Sequence, residues 1–162
     1  MLKKRRHIKK YNKLKFKPES FYKSYWLAKF INKFMRDGKK YVIENALWKA
    51  FCQTKIRTKK MPLTTFFAIL MKVRPLFGFI SKQFRKQHKK IPVPLYPRRQ
   101  TIIALKWLVL SIKIKNLHSL EKRILSEFFD FLEKRKTALF KRCADHIAEL
   151  NENRINMRYR WK

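Results

Sequence analysis

Lysine and arginine outnumber aspartate and glutamate by 43 to 10 in 162 residues, so any compact fold of this chain carries a formal charge of +33. A surface of that kind repels itself unless a large polyanion neutralises it. Hydrophobic residues at 46% and aromatics at 15% are nevertheless too abundant for a disordered basic tail. The cations therefore decorate a folded body, and a chain of this length supports one sizeable core rather than two.

Two polyanions qualify, nucleic acid and an anionic membrane surface, and charge alone does not choose between them. The longest apolar stretches, Phe66 to Met71 and Ile102 to Ile112, are shorter than the roughly 20 residues of a spanning helix, and Lys106 interrupts the second. No membrane insertion is expected. A peripheral protein with basic amphipathic helices lying in an anionic interface is the competing class.

Organisation along the chain favours nucleic acid. Residues 1–17 carry cations with almost no apolar periodicity and end at Pro18. They lack the serine richness and apolar face of a mitochondrial presequence, and read as an extended RNA-binding arm. Residues 18–162 form the folded domain. Apolar residues at three- and four-residue steps predict helices over Glu19–Asp37, with Gly38 as a left-handed cap, and over Lys39–Cys52. Pro62 suits the first turn of a third helix, Leu63–Val73. From about 76 to 97 the period changes to that of strands, and Pro92, Pro94 and Pro97 restrict them to a projecting two-stranded ribbon. Its middle, Ser81 to Lys90, has no glycine, so a tight turn is not signalled and a broad tip is expected.

Three more helices follow. Gln100–Lys115 would bury Ile103, Ala104, Trp107, Leu108 and Ile112; Leu120–Lys134 would bury Ile124, Leu125, Phe128 and Leu132. The last starts near Thr137, turns Leu139, Phe140, Cys143, Ile147 and Leu150 inward, and fades into a polar tail, Asn151 to Lys162. The expected fold is mainly α: a bundle of about six helices with a protruding β-ribbon and a basic N-terminal arm.

Catalysis is not indicated. The chain has two glycines, Gly38 and Gly78, which excludes a glycine-built phosphate cradle. Glu121, Glu127, Asp130 and Glu133 sit on a basic helix and read as surface ion pairs rather than as the carboxylate cluster a metal-dependent nuclease needs. Cys52 and Cys143 are far apart and the histidines scattered, so no metal site and no cofactor are expected; Cys143 reads as a small apolar residue on a helix face.

The basic residues gather instead where a long polyanion could follow them. The candidates are Lys3, Lys4, Arg5, Arg6, Lys9, Lys10, Lys13 and Lys15 in the arm, and Arg36, Lys39 and Lys40 around Gly38. Arg74 precedes the ribbon, Lys82, Arg85, Lys86, Lys89 and Lys90 lie in it, and Arg98 and Arg99 follow it. Each cation set against a phosphate releases counterions and adds sequence-independent affinity. Aromatics interleave with them, among them Tyr96. Tyr159 and Trp161, between Arg158, Arg160 and Lys162 in the polar tail, are the better rings for stacking on unpaired bases.

These residues resemble a known family. Lys29-Phe30-Ile31-Asn32-Lys33-Phe34-Met35-Arg36-Asp37-Gly38-Lys39-Lys40 is similar to the first-helix signature of small-subunit ribosomal protein S-seven. Val73-Arg74-Pro75 and Ile91-Pro92-Val93 resemble the two ends of that family's ribbon, the latter its Val-Pro-Val. Arg99 with Ala104-Leu105-Lys106-Trp107-Leu108 resembles its arginine pair and Ala-x-Arg-Trp helix, with Lys106 for the arginine. Lys136-Thr137-Ala138, Ala148-Glu149-Leu150-Asn151 and Tyr159-Arg160-Trp161 resemble its Gly-Thr-Ala, Ala-Glu-Ala-Asn and Tyr-Arg-Trp. The family's paired ribbon glycines are absent, and its histidine before the Ala-Glu segment is Asp145.

The resemblance, over about residues 18–162, implies a six-helix bundle with a ribbon, bound to the 3′ major domain of small-subunit ribosomal RNA, where the family initiates head assembly. It implies neighbouring ribosomal proteins of head and platform as partners, including the platform's ribosomal protein eleven. The ribbon would lie near the exit-site tRNA and the mRNA path. The bias toward lysine, phenylalanine, isoleucine and asparagine with scarce glycine points to an AT-rich organelle genome, and so to a mitochondrial small subunit.

Overall fold

Before the first helix, the Glu19 carboxylate accepts hydrogen bonds from the backbone N–H groups of Phe21 at 2.7 Å and Tyr22 at 2.9 Å. That turn, followed by left-handed Lys23, delays the helix expected from Glu19: α1 runs Tyr25–Phe34, with the Ser24 hydroxyl accepting from Leu27 N–H. The delay sets the Phe21 and Tyr22 rings 4.6 and 5.3 Å from the Trp48 ring. The computed structural model describes residues 18–84 and 87–160, so the arm at 1–17 lies outside the described residues.

Helix α1 also stops earlier than expected, at Phe34 rather than Asp37. Met35 is extended, and Asp37 and Gly38 then take left-handed φ values of 51° and 69°. Gly38 shapes the connection rather than capping the helix. Helix α2 spans Lys40–Thr58, past the expected Cys52, because no proline or glycine intervenes before Pro62; within it the Thr54 and Thr58 hydroxyls donate back to Ala50 O and Thr54 O. Helix α3, Pro62–Val73, has its proline in the first turn as expected.

Strands β1, Phe77–Phe84, and β2, Gln87–Pro94, pair antiparallel, with Phe79 opposite Pro92 and Ile80 opposite Ile91. The pairing reaches closer to the tip than the glycine-free middle suggested; residues 85 and 86 lie outside the described residues. A Cβ on Gly78 would fall 2.8 Å from a Leu95 methyl carbon, so glycine lets the ribbon's root close on the next segment. Pro97 belongs to α4, Pro97–Ile114, as its first residue rather than to the ribbon.

Helix α4 is the centre of the core: Ala104, Leu105, Leu108 and Ile112 are fully buried. Leu105 and Val109 take the inward places expected of Ile103 and Trp107, which are half-buried. Helix α5, Leu120–Leu132, lays Phe128 against Phe51 of α2, with ring centroids 5.9 Å apart. It ends two residues before the expected Lys134, which is left-handed. Leu132, expected inward, is exposed, and Phe131 is buried in its stead, stacked on Phe140. Helix α6, Ala138–Glu152, starts from a Thr137 cap, and Leu139 is its buried residue. Ile147, expected inward, is exposed. The expected polar tail is instead a 3-10 segment, Asn153–Tyr159, packed along β2, where the Asn156 amide donates to Lys90 O.

Glu127 is a further correction. Expected in a surface ion pair, it is fully buried between α4 and α5. Ser111 Oγ donates to its Oε1 at 2.6 Å, and Lys115 Nζ lies 3.1 Å from its Oε2 while also pairing with Asp130. Ser111 in the last turn of α4 and Lys115, its C-cap, lie four residues apart, so both reach α5. Removing one partner of such a pair strands a buried charge.

Lys115→Met should therefore destabilise the domain by about 3–5 kcal/mol, read from the denaturant midpoint, and a loss under about 1 kcal/mol would contradict the pairing. Phe128→Ala should cost about 3–5 kcal/mol, and Trp107→Ala, at a half-buried position, less than that. The reverse order would place Trp107 in the core.

Candidate nucleic-acid interface

The ribbon's pairing sets its cations face to face. Lys82 lies directly across from Lys89, and Lys90 stands at the next rung opposite Ser81. Like charges on opposed residues weaken a strand pair, so these lysines need counter-groups. Helix α6 and the C-terminal segment supply them. Lys82 Nζ donates to Arg160 O at 2.9 Å, Lys89 Nζ sits 4.5 Å from the Tyr159 ring centroid, and Lys90 pairs with Glu149. The Glu149 carboxylate carries a full counter-charge, whereas a carbonyl and a ring carry partial ones.

This arrangement changes the reading of the tail. Tyr159, expected to offer its ring to bases, is half-buried under Lys89 and also neighbours Arg158 at 5.9 Å. Tyr96 is open, 85% exposed beside Arg98 and Arg99 at the start of α4. Arg98 donates to the Tyr25 hydroxyl at 3.1 Å. The Lys29 hydrogen bond, and after it Arg98, draws the Tyr25 phenol below its ordinary pKa. No acidic residue occupies the first turn of α4, so Arg98 and Arg99 add to the positive end of its dipole.

On another face, Arg36 and Lys39 line a hollow of about 280 Å³ with Lys113 of α4 and Arg123 of α5. Lys113 Nζ lies 5.7 Å from the Phe34 ring centroid, on the hollow's apolar floor. Sequence reasoning named Arg36 and Lys39 but missed Lys113 and Arg123, which only the bundle brings to them. Lys40 is partly neutralised by Glu44 at 3.1 Å. Arg74 is half-buried at the end of α3, by the ribbon's root. Of the remaining candidates, Lys3, Lys4, Arg5, Arg6, Lys9, Lys10, Lys13, Lys15, Arg85, Lys86 and Trp161 lie outside the described residues.

Among the described residues, no group of histidine, cysteine and carboxylate side chains is placed to hold a metal ion. The two thiols differ in setting. Cys52 is exposed, whereas Cys143 is half-buried with Sγ 4.0 Å from Val73 O, and burial pushes its pKa up. Iodoacetamide at neutral pH should modify Cys52 before Cys143, as followed by peptide mass spectrometry. Equal labelling would contradict the packing of α6 on α3.

A helical bundle with a cation-bearing ribbon, and cations gathered at the α1–α2 turn and the start of α4, defines a polyanion-binding protein. The chain belongs to the family described as ribosomal protein S7p/S5e, whose profile matches residues 4–151, and is a structural, non-enzymatic protein. It is similar to bacterial proteins named small ribosomal subunit protein uS7. That of Roseobacter denitrificans is 29% identical over 144 residues, covering 89% of this chain and 92% of that protein. That of Ruegeria pomeroyi is 32% identical over 136 residues, 83% and 86%. That of Buchnera aphidicola is 32% identical over 147 residues, 91% and 94%. The family match takes in most of the basic arm, which the motif resemblance had left out, and ends before Tyr159-Arg160-Trp161.

Proposed function

We propose that this chain is a structural constituent of the small ribosomal subunit that binds the 3′ major domain of its ribosomal RNA and helps assemble the head. Membership of the ribosomal family supports the subunit. The observation that carries the RNA contact is the Lys82–Lys89 confrontation across the two-stranded ribbon, a geometry that phosphate relieves. Arg85 and Lys86 continue the same cationic run in sequence. The ribbon's proximity to the exit-site tRNA and the mRNA path, and contact with head and platform proteins, belong to the same reading.

The binding set comprises the arm cations, Arg36, Lys39 and Lys40, Arg74, the ribbon cations, Arg98 and Arg99, and Arg158 to Trp161. We add Lys113 and Arg123 to it, and assign base stacking to Tyr96 rather than Tyr159. The compartment we propose is the mitochondrion. Its support is compositional, two glycines against 14 phenylalanines, since the similar proteins above are bacterial.

Neutralising Lys82, Arg85, Lys86 and Lys89 together should lower the slope of log affinity against log salt by about 0.7 to 0.9 per lost phosphate contact. An unchanged slope for the 3′ major domain RNA would show that the ribbon does not touch phosphate. Tyr96→Ala should weaken that binding by about 1–3 kcal/mol if its ring stacks on a base. Equal affinity would remove it from the set.

A further inference from the structure

Phe140 and Cys143 of α6 are half-buried against the core, but farther along the helix Ile147 is exposed and Leu150 half-buried. Cys143, Ile147 and Leu150 wall one side of a groove of about 490 Å³, closed by the end of α3, the ribbon's root and the 3-10 segment. Its lining includes Leu76, 64% exposed, Phe77, 42%, Ile147, 58%, and Met157, 42%. Apolar side chains concentrated in one concavity mark an interaction site more often than scattered ones do. The groove is also preformed. His146 lies edge-on to Phe79 at 5.4 Å and Trp107 at 5.1 Å, and its Nε2 is 3.0 Å from Phe77 O, so the ribbon's root is pinned to α6. Binding there needs little ordering of the walls.

Charge selects the occupant. The ionised groups among the lining residues are Lys72, Arg74 and Arg154, and the lining contains no aspartate or glutamate. We propose that this groove docks a segment of another small-subunit protein that presents apolar side chains flanked by carboxylates. The inference rests on the ribosomal reading above.

Other occupants fit the groove less well. RNA phosphate would meet the three cations but leave Leu76, Phe77, Ile147 and Met157 against charge. The chain's own arm, with its run of lysine and arginine from Lys3 to Lys15, matches the rim in sign, and so does a second copy at +33. The last described residues lead away. From Met157 in the groove the chain proceeds to Tyr159 beneath Lys89 and Arg160 beside Lys82, up the ribbon.

The test places a benzoylphenylalanine photo-crosslinker at Ile147 in the full chain, assembles it into small subunits, and sequences the adduct by mass spectrometry. The expected adduct is a single protein segment with apolar residues at the link and carboxylates within a few positions. In Ile147→Asp combined with Leu76→Glu, both exposed, retention of that partner on purified subunits should fall at least about tenfold. The variant's own retention and denaturation midpoint should stay unchanged. An adduct with RNA alone, with a basic segment or with nothing, or undiminished partner retention in the double variant, overturns the proposal. Absence of this chain from the particles would overturn the ribosomal reading itself.

Discussion

Each cation on this domain raises the work of holding the others close, and the apolar core around α4 is what opposes that work. Phe30, Phe51, Phe66 and Phe128, with the fully buried leucines and isoleucines of α1 to α5, supply non-directional burial that needs no charge complementarity. Aspartate and glutamate are too few to neutralise the surface and are spent locally. Glu19 shapes the entry turn, Glu127 and Asp130 hold Lys115 between α4 and α5, and Glu149 meets Lys90. What remains is a net positive surface that ribosomal RNA can discharge.

The ribbon concentrates this conflict. Lys82 and Lys89 oppose one another across the strands; the Arg160 carbonyl and Tyr159 ring at the end of the 3-10 segment answer them, and the Glu149 carboxylate of α6 answers Lys90. His146 holds the other end, fixing the ribbon's root to α6. A two-stranded ribbon alone is marginally stable in water. Here it is splinted at the root and along β2, so its cations are presented on a scaffold whose direction the bundle sets.

Much of this was legible in the sequence. The helical stripes, the proline at the start of α3, the ribbon between Pro75 and Pro97 and the basic clusters follow from periodicity and backbone chemistry. Helix ends were less legible: the Glu19 side chain captures two amides before α1, and α2 runs past Cys52 to left-handed Lys59, a backbone turn that no glycine or proline marks. The inward turn of Ile147 was misjudged because a stripe at helical spacing does not say whether a core or a groove receives it. Burial of Glu127 depends on Ser111 and Lys115 at the end of another helix. Lys113 and Arg123 carry no local signal, since only tertiary packing brings them to Arg36 and Lys39. Tyr159 sat in a polar run, and nothing nearby in sequence foretold that Lys89 would cover it.

The central claim is that this charge is discharged by the RNA of the small ribosomal subunit. Sedimentation of a native lysate through sucrose at stepwise increasing salt tests it most directly, with this chain, subunit RNA and head proteins followed in every fraction. The account predicts co-sedimentation with the small subunit at low and moderate salt, and release only at high salt together with loss of the head. Recovery in the membrane or light soluble fraction at low salt would contradict it.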